Sequence, residues 1–224
     1  GRILLMYADA ADASETHGHP APGYVSDDEG SSWSALSDEL RPVRPHFSIS
    51  EVYDGEHLIM PACEYLNIDA AGVQLPEPVA EANVYGTLLH YRCTDLPAHV
   101  QDYFEHIPGK RWTPESGTWQ DTIVDYDVEN LLAWRRENSR VLPRTYFEHP
   151  LLRRNGELLY ADYRARYVQA NGQIIGHGST SLLASTDNGR SFRRRSTVAA
   201  DLSDRDLMGE PALSLTADGN LVCV

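Results

Sequence analysis

The chain is poor in cysteine, in basic residues and in long apolar runs, and each shortage excludes a class of protein. Three cysteines in 224 residues are too few for a disulfide scaffold, and the odd number leaves at least one unpaired within the chain. The 19 Lys and Arg residues face 33 Asp and Glu, a formal net charge of −14, which argues against a nucleic-acid partner because such partners need a basic surface. No apolar run approaches the roughly 18 residues of a spanning helix, so no membrane span is expected.

Two eight-residue segments, 26–33 and 185–192, share the pattern S-x-D-x-G-x-x-(W/F). This is the chemistry of a tight turn: Ser and Asp side chains accept hydrogen bonds from the turn's own amides, Gly supplies a positive φ, and the aromatic residue anchors the turn to a core. Residues 91–100 keep the spacing as a decayed third copy, with Cys for Ser, Pro for Gly and Val for the aromatic residue. Repeats of this kind decide the architecture of a chain.

A second repeat runs in phase with the first. The dipeptides Asp54-Gly55, Asn155-Gly156 and Asp218-Gly219 each lie between two apolar runs. Asn-Gly and Asp-Gly in this setting are the strongest short-range signals for a β-hairpin. The sequence therefore predicts three hairpins, each forming the inner two strands of a repeated unit whose outer strands are joined by the S-x-D-x-G turn.

These two repeats together resemble the Asp-box (BNR repeat) and blades of the sialidase-like β-propellers. The resemblance implies an all-β fold, a β-propeller that is six-bladed when complete, of which about three and a half blades are present. Residues 1–224 would then be an internal part of a single propeller domain, completed by the remaining blades of the same protein. The blades would span about 1–42, 43–109, 146–200 and 210–224.

Residues 101–145 interrupt the repeats. Apolar residues stand at helical spacing in 97–107 and again in 127–138, with polar residues on either side. We therefore expect one or two short helices here, within a partly helical insertion into the propeller.

The resemblance also implies a catalytic site. In the family, a glutamate before the inner strand of the fourth blade activates a tyrosine nucleophile, and Glu210 in the segment 208–215 matches that position. The tyrosine would come from a later blade, and the acid/base aspartate from the first-blade loop, where Asp12 matches best and Asp9 next. The match is incomplete, because Ala11 stands where a sialidase has one of three carboxylate-binding arginines and the other two fall outside the chain.

Further residues on the same face are expected to contact substrate. They lead into inner strands or lie in the third-blade loop, and they are His46, Glu148, His149, Tyr163, Arg164 and Arg166. Two plainer interpretations stay open: Glu148-His149 as a structural pair, and the Tyr and Arg residues as an alternating strand. His17-Gly18-His19 lacks a third ligand in the sequence, so no metal is expected, and neither is a cofactor.

The function that follows from the resemblance is a sialidase-like glycoside hydrolase of the exo-α-sialidase type, cleaving a terminal, acidic sugar from a glycan or sialoglycoconjugate. One alternative is a propeller polysaccharide lyase or other uronate-acting enzyme, in which residues such as His149 and Tyr163 would abstract a proton. Another is a non-catalytic glycan-binding propeller, because a fold does not confer chemistry. A secreted or periplasmic location follows from the resemblance alone.

Overall fold

A computed structural model describes residues 3–6, 23–35, 47–52, 55–61, 64–83, 86–144, 149–163, 166–175, 179–200 and 208–224. These residues form twenty β-strands, one α-helix and a short 3-10 helix at Cys93–Asp95. The predicted all-β class is confirmed for this part of the chain. Within the same ranges, no helix has the length and apolar character needed to cross a bilayer.

The elements are numbered in chain order. The strands are β1 (Ile3–Met6), β2 (Gly23–Ser26), β3 (Ser34–Ala35), β4 (Phe47–Glu51), β5 (His57–Pro61), β6 (Tyr65–Asn67), β7 (Ala80–Asn83), β8 (Thr87–Arg92), β9 (His106–Trp112), β10 (Trp119–Tyr126), β11 (Leu131–Arg136), β12 (Val141–Pro143), β13 (Leu152–Arg154), β14 (Glu157–Asp162), β15 (Arg166–Val168), β16 (Ile174–Ile175), β17 (Ser179–Ser185), β18 (Ser191–Ala200), β19 (Leu213–Leu215) and β20 (Leu221–Cys223). The helix α1 is Ala98–Glu105.

Most strands belong to two sheets. The larger has eight strands in the order β13-β14-β17-β18-β10-β9-β5-β4, and the second has five in the order β16-β15-β11-β8-β7. Three smaller sheets are β1-β2-β3, β12-β6 and β19-β20. Nearly every pairing is antiparallel; the exception among the described strands is the short parallel contact of β10 with β18.

The three predicted hairpins are confirmed. β4 pairs with β5, β13 with β14, and β19 with β20, each across its Asp-Gly or Asn-Gly turn. In the second hairpin Asn155 has φ 51° and Gly156 has φ 81°. Positive φ at both central residues is typical of the type I′ turn, whose twist matches that of the flanking strands.

The turn at 26–33 has the predicted chemistry. The hydroxyl of Ser26 accepts a hydrogen bond from the backbone N–H of Gly30 at 2.8 Å. The carboxylate of Asp28 accepts one from the backbone N–H of Ser32 at 2.8 Å and another from its hydroxyl at 2.6 Å. Each side chain therefore satisfies turn donors that would otherwise need water.

The turn at 185–192 repeats this pattern with a different degree of burial. Ser185 accepts from the N–H of Gly189 at 2.9 Å, and Asp187 accepts from the N–H and hydroxyl of Ser191 at 2.9 and 2.6 Å. Phe192 is fully buried, whereas its counterpart Trp33 is 43% exposed. The same local turn is thus docked into the core at one position and lies at the surface at the other.

Gly189 explains how closely the second turn docks. Its φ is +73°, and a Cβ built on it would lie 3.1 Å from Leu58 and 3.3 Å from Leu158. A side chain here would be strained in its backbone and would crowd two core leucines. The decayed copy at 91–100 forms no such turn, because Cys93–Asp95 is a 3-10 helix and α1 follows it.

Of the two segments considered as helices in the interrupted region, one is a helix and the other is a strand. α1 (Ala98–Glu105) falls within 97–107 and buries Val100 and Phe104 on one face. Residues 127–138 instead contain β11, the middle strand of the five-stranded sheet. Leu131, Leu132 and Ala133 are all buried, so the apolar run belongs to a strand covered on both faces, which periodicity cannot distinguish from a buried helix.

Candidate functional site

A buried trio of hydroxyl and carboxyl groups lies where β10, β14 and β15 come together. The hydroxyl of Tyr126 donates to Oδ2 of Asp162 at 2.9 Å and lies 2.9 Å from the hydroxyl of Tyr167. All three residues are at most 1% exposed. Asp162 ends β14 on the side that carries Leu158 and Tyr160 into the core, so the strand's alternation places its carboxylate inside the protein.

The surroundings of Tyr167 keep its hydroxyl protonated. Burial, and then the negative charge of Asp162, raise the pKa of Tyr167 well above its usual range. The guanidinium of Arg194 lies 4.8 Å from the centre of the Tyr167 ring. The Tyr126 hydroxyl donates to the buried carboxylate of Asp162, and the protonated Tyr167 hydroxyl can in turn donate to the oxygen of Tyr126.

Two of the expected substrate-binding residues are neighbours of this trio in the sequence: Tyr163 follows Asp162, and Arg166 precedes Tyr167. Both are buried, at 7% and 3% exposure. The guanidinium of Arg166 donates from Nη1 to the backbone carbonyl of Tyr163. Arg166 also begins β15, where it pairs with Leu132. Both side chains are therefore part of the interior of this region and expose little surface to a ligand.

Glu210, the expected activator of a nucleophile, lies at the surface. Its side chain is exposed and its backbone has φ +53°, a left-handed conformation more typical of turns. Two residues earlier, the backbone carbonyl of Met208 accepts a hydrogen bond from the hydroxyl of Thr180 at 2.9 Å. Thr180 precedes Ser181, the register partner of Asp162. The segment before β19 is thereby held at the end of the eight-stranded sheet at which Asp162 also lies.

The other expected site residues fall into two groups. His149 is half-buried and stands before β13. Asp9, Asp12, His46, Glu148 and Arg164 lie outside the described residues. Within the described ranges, no three His, Cys, Asp or Glu side chains are arranged as metal ligands.

A second buried ionic group lies between the ends of β12 and β6. Arg144 is 4% exposed, and its Nη1 lies 3.2 Å from Oε2 of Glu64. The guanidinium also stacks 3.6 Å from the centre of the Tyr103 ring, on α1. Nε of Arg144 has no hydrogen-bond acceptor among the described residues. This arginine therefore clamps the helix to the two-stranded β12-β6 sheet.

Sequence reasoning missed Tyr126 and Arg144, since both fall in the segment interpreted as an insertion. Alternation over residues 119–126 was the available signal for Tyr126: Val124 and Tyr126 are buried, while Ile123 and Asp125 are exposed. For Arg144 the sequence offers none, because a lone arginine after a strand looks like a solvated residue. Chemically, the buried trio can orient and hold protons, whereas Glu210 has a carboxylate that is accessible to solvent.

Comparisons with known proteins add little. No family model matches the chain, and no curated protein matches its sequence. Among solved structures, the chain is weakly similar to one titled "NanB plus Optactamide", with 13% identity and a TM-score of 0.34. The match covers 89% of this chain and 42% of that one, so this chain spans less than half of that protein's length.

Proposed function

We propose that the chain forms part of a sialidase-like glycoside hydrolase that cleaves a terminal acidic sugar from a glycan. The observation that carries the proposal is the hydrogen bond from Thr180 to the carbonyl of Met208, which fixes the segment of Glu210 at the sheet end carrying Asp162. An accessible carboxylate beside a rigid, polar strand end is what a site for general-base catalysis requires.

In this proposal Glu210 takes the proton from a tyrosine hydroxyl supplied elsewhere in the domain, as the family resemblance implies. The tyrosine oxygen then bonds to the anomeric carbon while the glycosidic C–O bond breaks, and the departing oxygen takes a proton from Asp12 or Asp9. Water hydrolyses the tyrosyl intermediate with the same groups in reverse, the acknowledged exception to the two-carboxylate mechanism.

The buried trio would act by positioning. Asp162, Tyr126 and Tyr167 fix the end of β14, and the buried Tyr163 and Arg166 extend that support through the bond from Arg166 to the Tyr163 carbonyl. In this proposal Arg164, His46, Glu148 and His149 are the residues that contact the substrate. The division into blades at 1–42, 43–109, 146–200 and 210–224, with an insertion at 101–145, belongs to the same proposal.

The test is turnover of a fluorogenic sialoside by the protein and by its Glu210→Gln variant. Gln keeps the shape of the side chain but cannot accept a proton, so kcat should fall by roughly 10²-fold or more while KM changes little. Glu129→Gln, another exposed glutamate, is the matched control and should leave kcat unchanged.

Other outcomes separate the alternatives. Formation of an unsaturated uronate product from an acidic polysaccharide, in place of sugar release, would favour a lyase. Saturable glycan binding without any product, unaffected by Glu210→Gln, would favour a binding module.

A further inference from the structure

Three aromatic side chains stand in one row across β5, β9 and β10. Trp112 is the register partner of both Trp119 and His57, so the three residues share one face of the eight-stranded sheet. The rings of His57 and Trp112 meet edge to face, with their centres 5.8 Å apart. All three side chains are half-buried, which leaves part of each ring in contact with solvent.

The face that bears this row is turned away from the core. On β9 and β10 the core residues are Ile107 and Val124, both at 0% exposure, and they alternate with the residues of the aromatic face. On the aromatic face itself, Ile123 of β10 is 52% exposed. On β9 and β10 the row therefore lies on the more exposed face of the sheet, and this exposed area ends at β5, where Ile59 beside Lys110 on the same face is 0% exposed.

A polar pair lies directly beside the row on the same face. Nζ of Lys110 lies 2.8 Å from Oδ1 of Asp121, and these two residues are also register partners. The lysine side chain is 15% exposed, whereas the aspartate is 90% exposed. The pair offers an ammonium donor and an accessible carboxylate acceptor, and its charges balance.

The loop joining β9 to β10 is rigid at the end of the row. The hydroxyl of Thr113 accepts from the N–H of Ser116 at 3.2 Å, and the hydroxyl of Ser116 donates to the carbonyl of Thr118 at 3.0 Å. The Pro114 ring lies against the β4–β5 turn, where a Cβ on Gly55 would approach it to 3.3 Å. Trp112 and Trp119 are thus held in place before any ligand arrives, which lowers the entropic cost of binding.

We propose that Trp112, Trp119 and His57, with the Lys110–Asp121 pair, form a binding surface for a neutral oligosaccharide. Indole rings present flat apolar faces on which the C–H faces of sugar rings stack, and the adjacent pair donates to and accepts from hydroxyl groups. The site lies on β5, β9 and β10 and not on the strands around Glu210, so it does not depend on the proposed hydrolase activity.

The charges at the row favour a neutral ligand over a charged one. The Lys110–Asp121 pair is balanced, so a ligand of either sign would meet one like charge there. The carboxylate of Asp121, which is 90% exposed, disfavours an acidic polysaccharide at this row, and the ammonium group beside the rings disfavours a basic peptide. The hydroxyl groups of a sugar can accept a hydrogen bond from the Lys110 ammonium group and donate one to the Asp121 carboxylate.

Isothermal titration calorimetry of the protein with maltohexaose, cellohexaose and hexa-N-acetylchitohexaose tests this inference. At least one of these neutral hexasaccharides should bind saturably. Trp119→Ala and Trp112→Ala should each weaken that binding by about tenfold or more, since truncation removes one stacking surface. Trp119→Phe keeps a ring and should retain most of the affinity. Trp33→Ala is the control. Trp33 is an exposed tryptophan in the turn that joins β2 to β3, and its replacement should leave the affinity unchanged.

Three results would overturn the proposal. The first is that none of the three hexasaccharides binds. The second is that one binds but neither Trp112→Ala nor Trp119→Ala weakens it, with far-UV circular dichroism showing both variants folded. The third is that hexalysine or polygalacturonate binds in a manner that depends on Trp119, which would assign the surface to a charged partner.

Discussion

Arg111 donates a hydrogen bond from Nη1 to Oε2 of Glu56 across 2.7 Å, joining β9 to the β4–β5 hairpin. The same carboxylate oxygen accepts from the side-chain amide of Asn188 at 2.9 Å, and Nη2 of Arg111 donates to the Asn188 carbonyl at 2.9 Å. One guanidinium therefore ties three segments together, one of which is the turn at 185–192. The side chains of Arg111 and Glu56 are only 10% and 18% exposed.

Replacing Arg111 with Ala should destabilise the protein markedly. The change strands the carboxylate of Glu56 in a largely buried position and removes a bond to the Asn188 carbonyl, so we expect a loss of about 2–4 kcal/mol in the free energy of unfolding. Urea denaturation measures it. The control is Lys110→Ala on the same strand, whose partner is 90% exposed and which should cost less than about 1 kcal/mol. Equal losses for both variants would contradict the role given to Arg111.

Replacing Asp187 with Ala should weaken the fold and spare activity. The carboxylate accepts from the N–H groups of Arg190 and Ser191 and from the Ser191 hydroxyl, and these donors would lose their acceptor. We expect a loss of about 1–2 kcal/mol in the free energy of unfolding. Asp187→Asn keeps one acceptor oxygen and should lose less. A variant with an unchanged melting temperature and a collapsed sugar-release rate would instead place Asp187 in a functional site.

The turn at 26–33 should lose stability in acid. Hydrogen bonds from the side chain and then the backbone of Ser32, and from the hydroxyl of Ser26, lower the pKa of Asp28 to about 2 from 3.8. Because the folded-state pKa is the lower one, the stabilisation is present above pH 3.8 and is lost as the pH falls toward 2. Nuclear magnetic resonance titration of the Asp28 carboxyl carbon measures the pKa. In Ser32→Ala the titration should move back toward 3.8; an unmoved midpoint would rule out the hydroxyl as a cause.

The buried trio should be sensitive to removal of a single oxygen. Tyr126→Phe deprives both Asp162 and the Tyr167 hydroxyl of a partner, so we expect a loss of about 1–3 kcal/mol in the free energy of unfolding by urea. Glu115→Gln, at an exposed side chain in the loop between β9 and β10, is the control and should change it by no more than about 0.5 kcal/mol. A Tyr126→Phe protein as stable as the parent would mean that the trio contributes no net stabilisation.

Tyr167 should also make the protein sensitive to alkali. Burial, followed by the charge of Asp162, raises its pKa in the folded state above that in the unfolded state. The resulting stabilisation is complete below a pH of about 10, the unfolded pKa, and is lost as the pH rises above it. The slope of unfolding free energy against pH in that range should be shallower for Tyr167→Phe. An unchanged slope would show that another group controls the alkaline response.

Local chemistry made most of the turns predictable. Side chains at Ser26, Asp28 and Asp187 act on amides within four residues of themselves, so their pattern in the sequence contains nearly everything that their geometry needs. The Asn155-Gly156 hairpin is predictable for the same reason. The aromatic positions were only half predictable, since Trp33 and Phe192 occupy equivalent places and differ in exposure because of what packs on them.

Residues whose roles depend on distant partners could not be predicted. Tyr126 meets Asp162, and Arg111 meets Asn188, across long stretches of chain, and neither contact has a signature in the local sequence. β11 was mistaken for a helix because Leu131 and Leu132 are buried on both faces of a central strand. The same holds for the candidate site. The sequence correctly places Tyr163 and Arg166 after β14, but it does not show that both are buried, because burial depends on the packing of distant segments.

The parallel contact of β10 with β18 has a consequence for how the chain folds. It comprises two register pairs, Asp125 with Ser191 and Tyr126 with Phe192, at the end of the turn segment 185–192. The strands on either side of the contact are joined to near neighbours by hairpins and can pair early. The β10–β18 contact instead closes a loop that contains β11 through β17. Closing this loop has an entropic cost that no local contact offsets. The junction should therefore form late and limit the folding rate. Changes at Ser191 or Asp125 should then alter the refolding rate more than changes within the hairpins do.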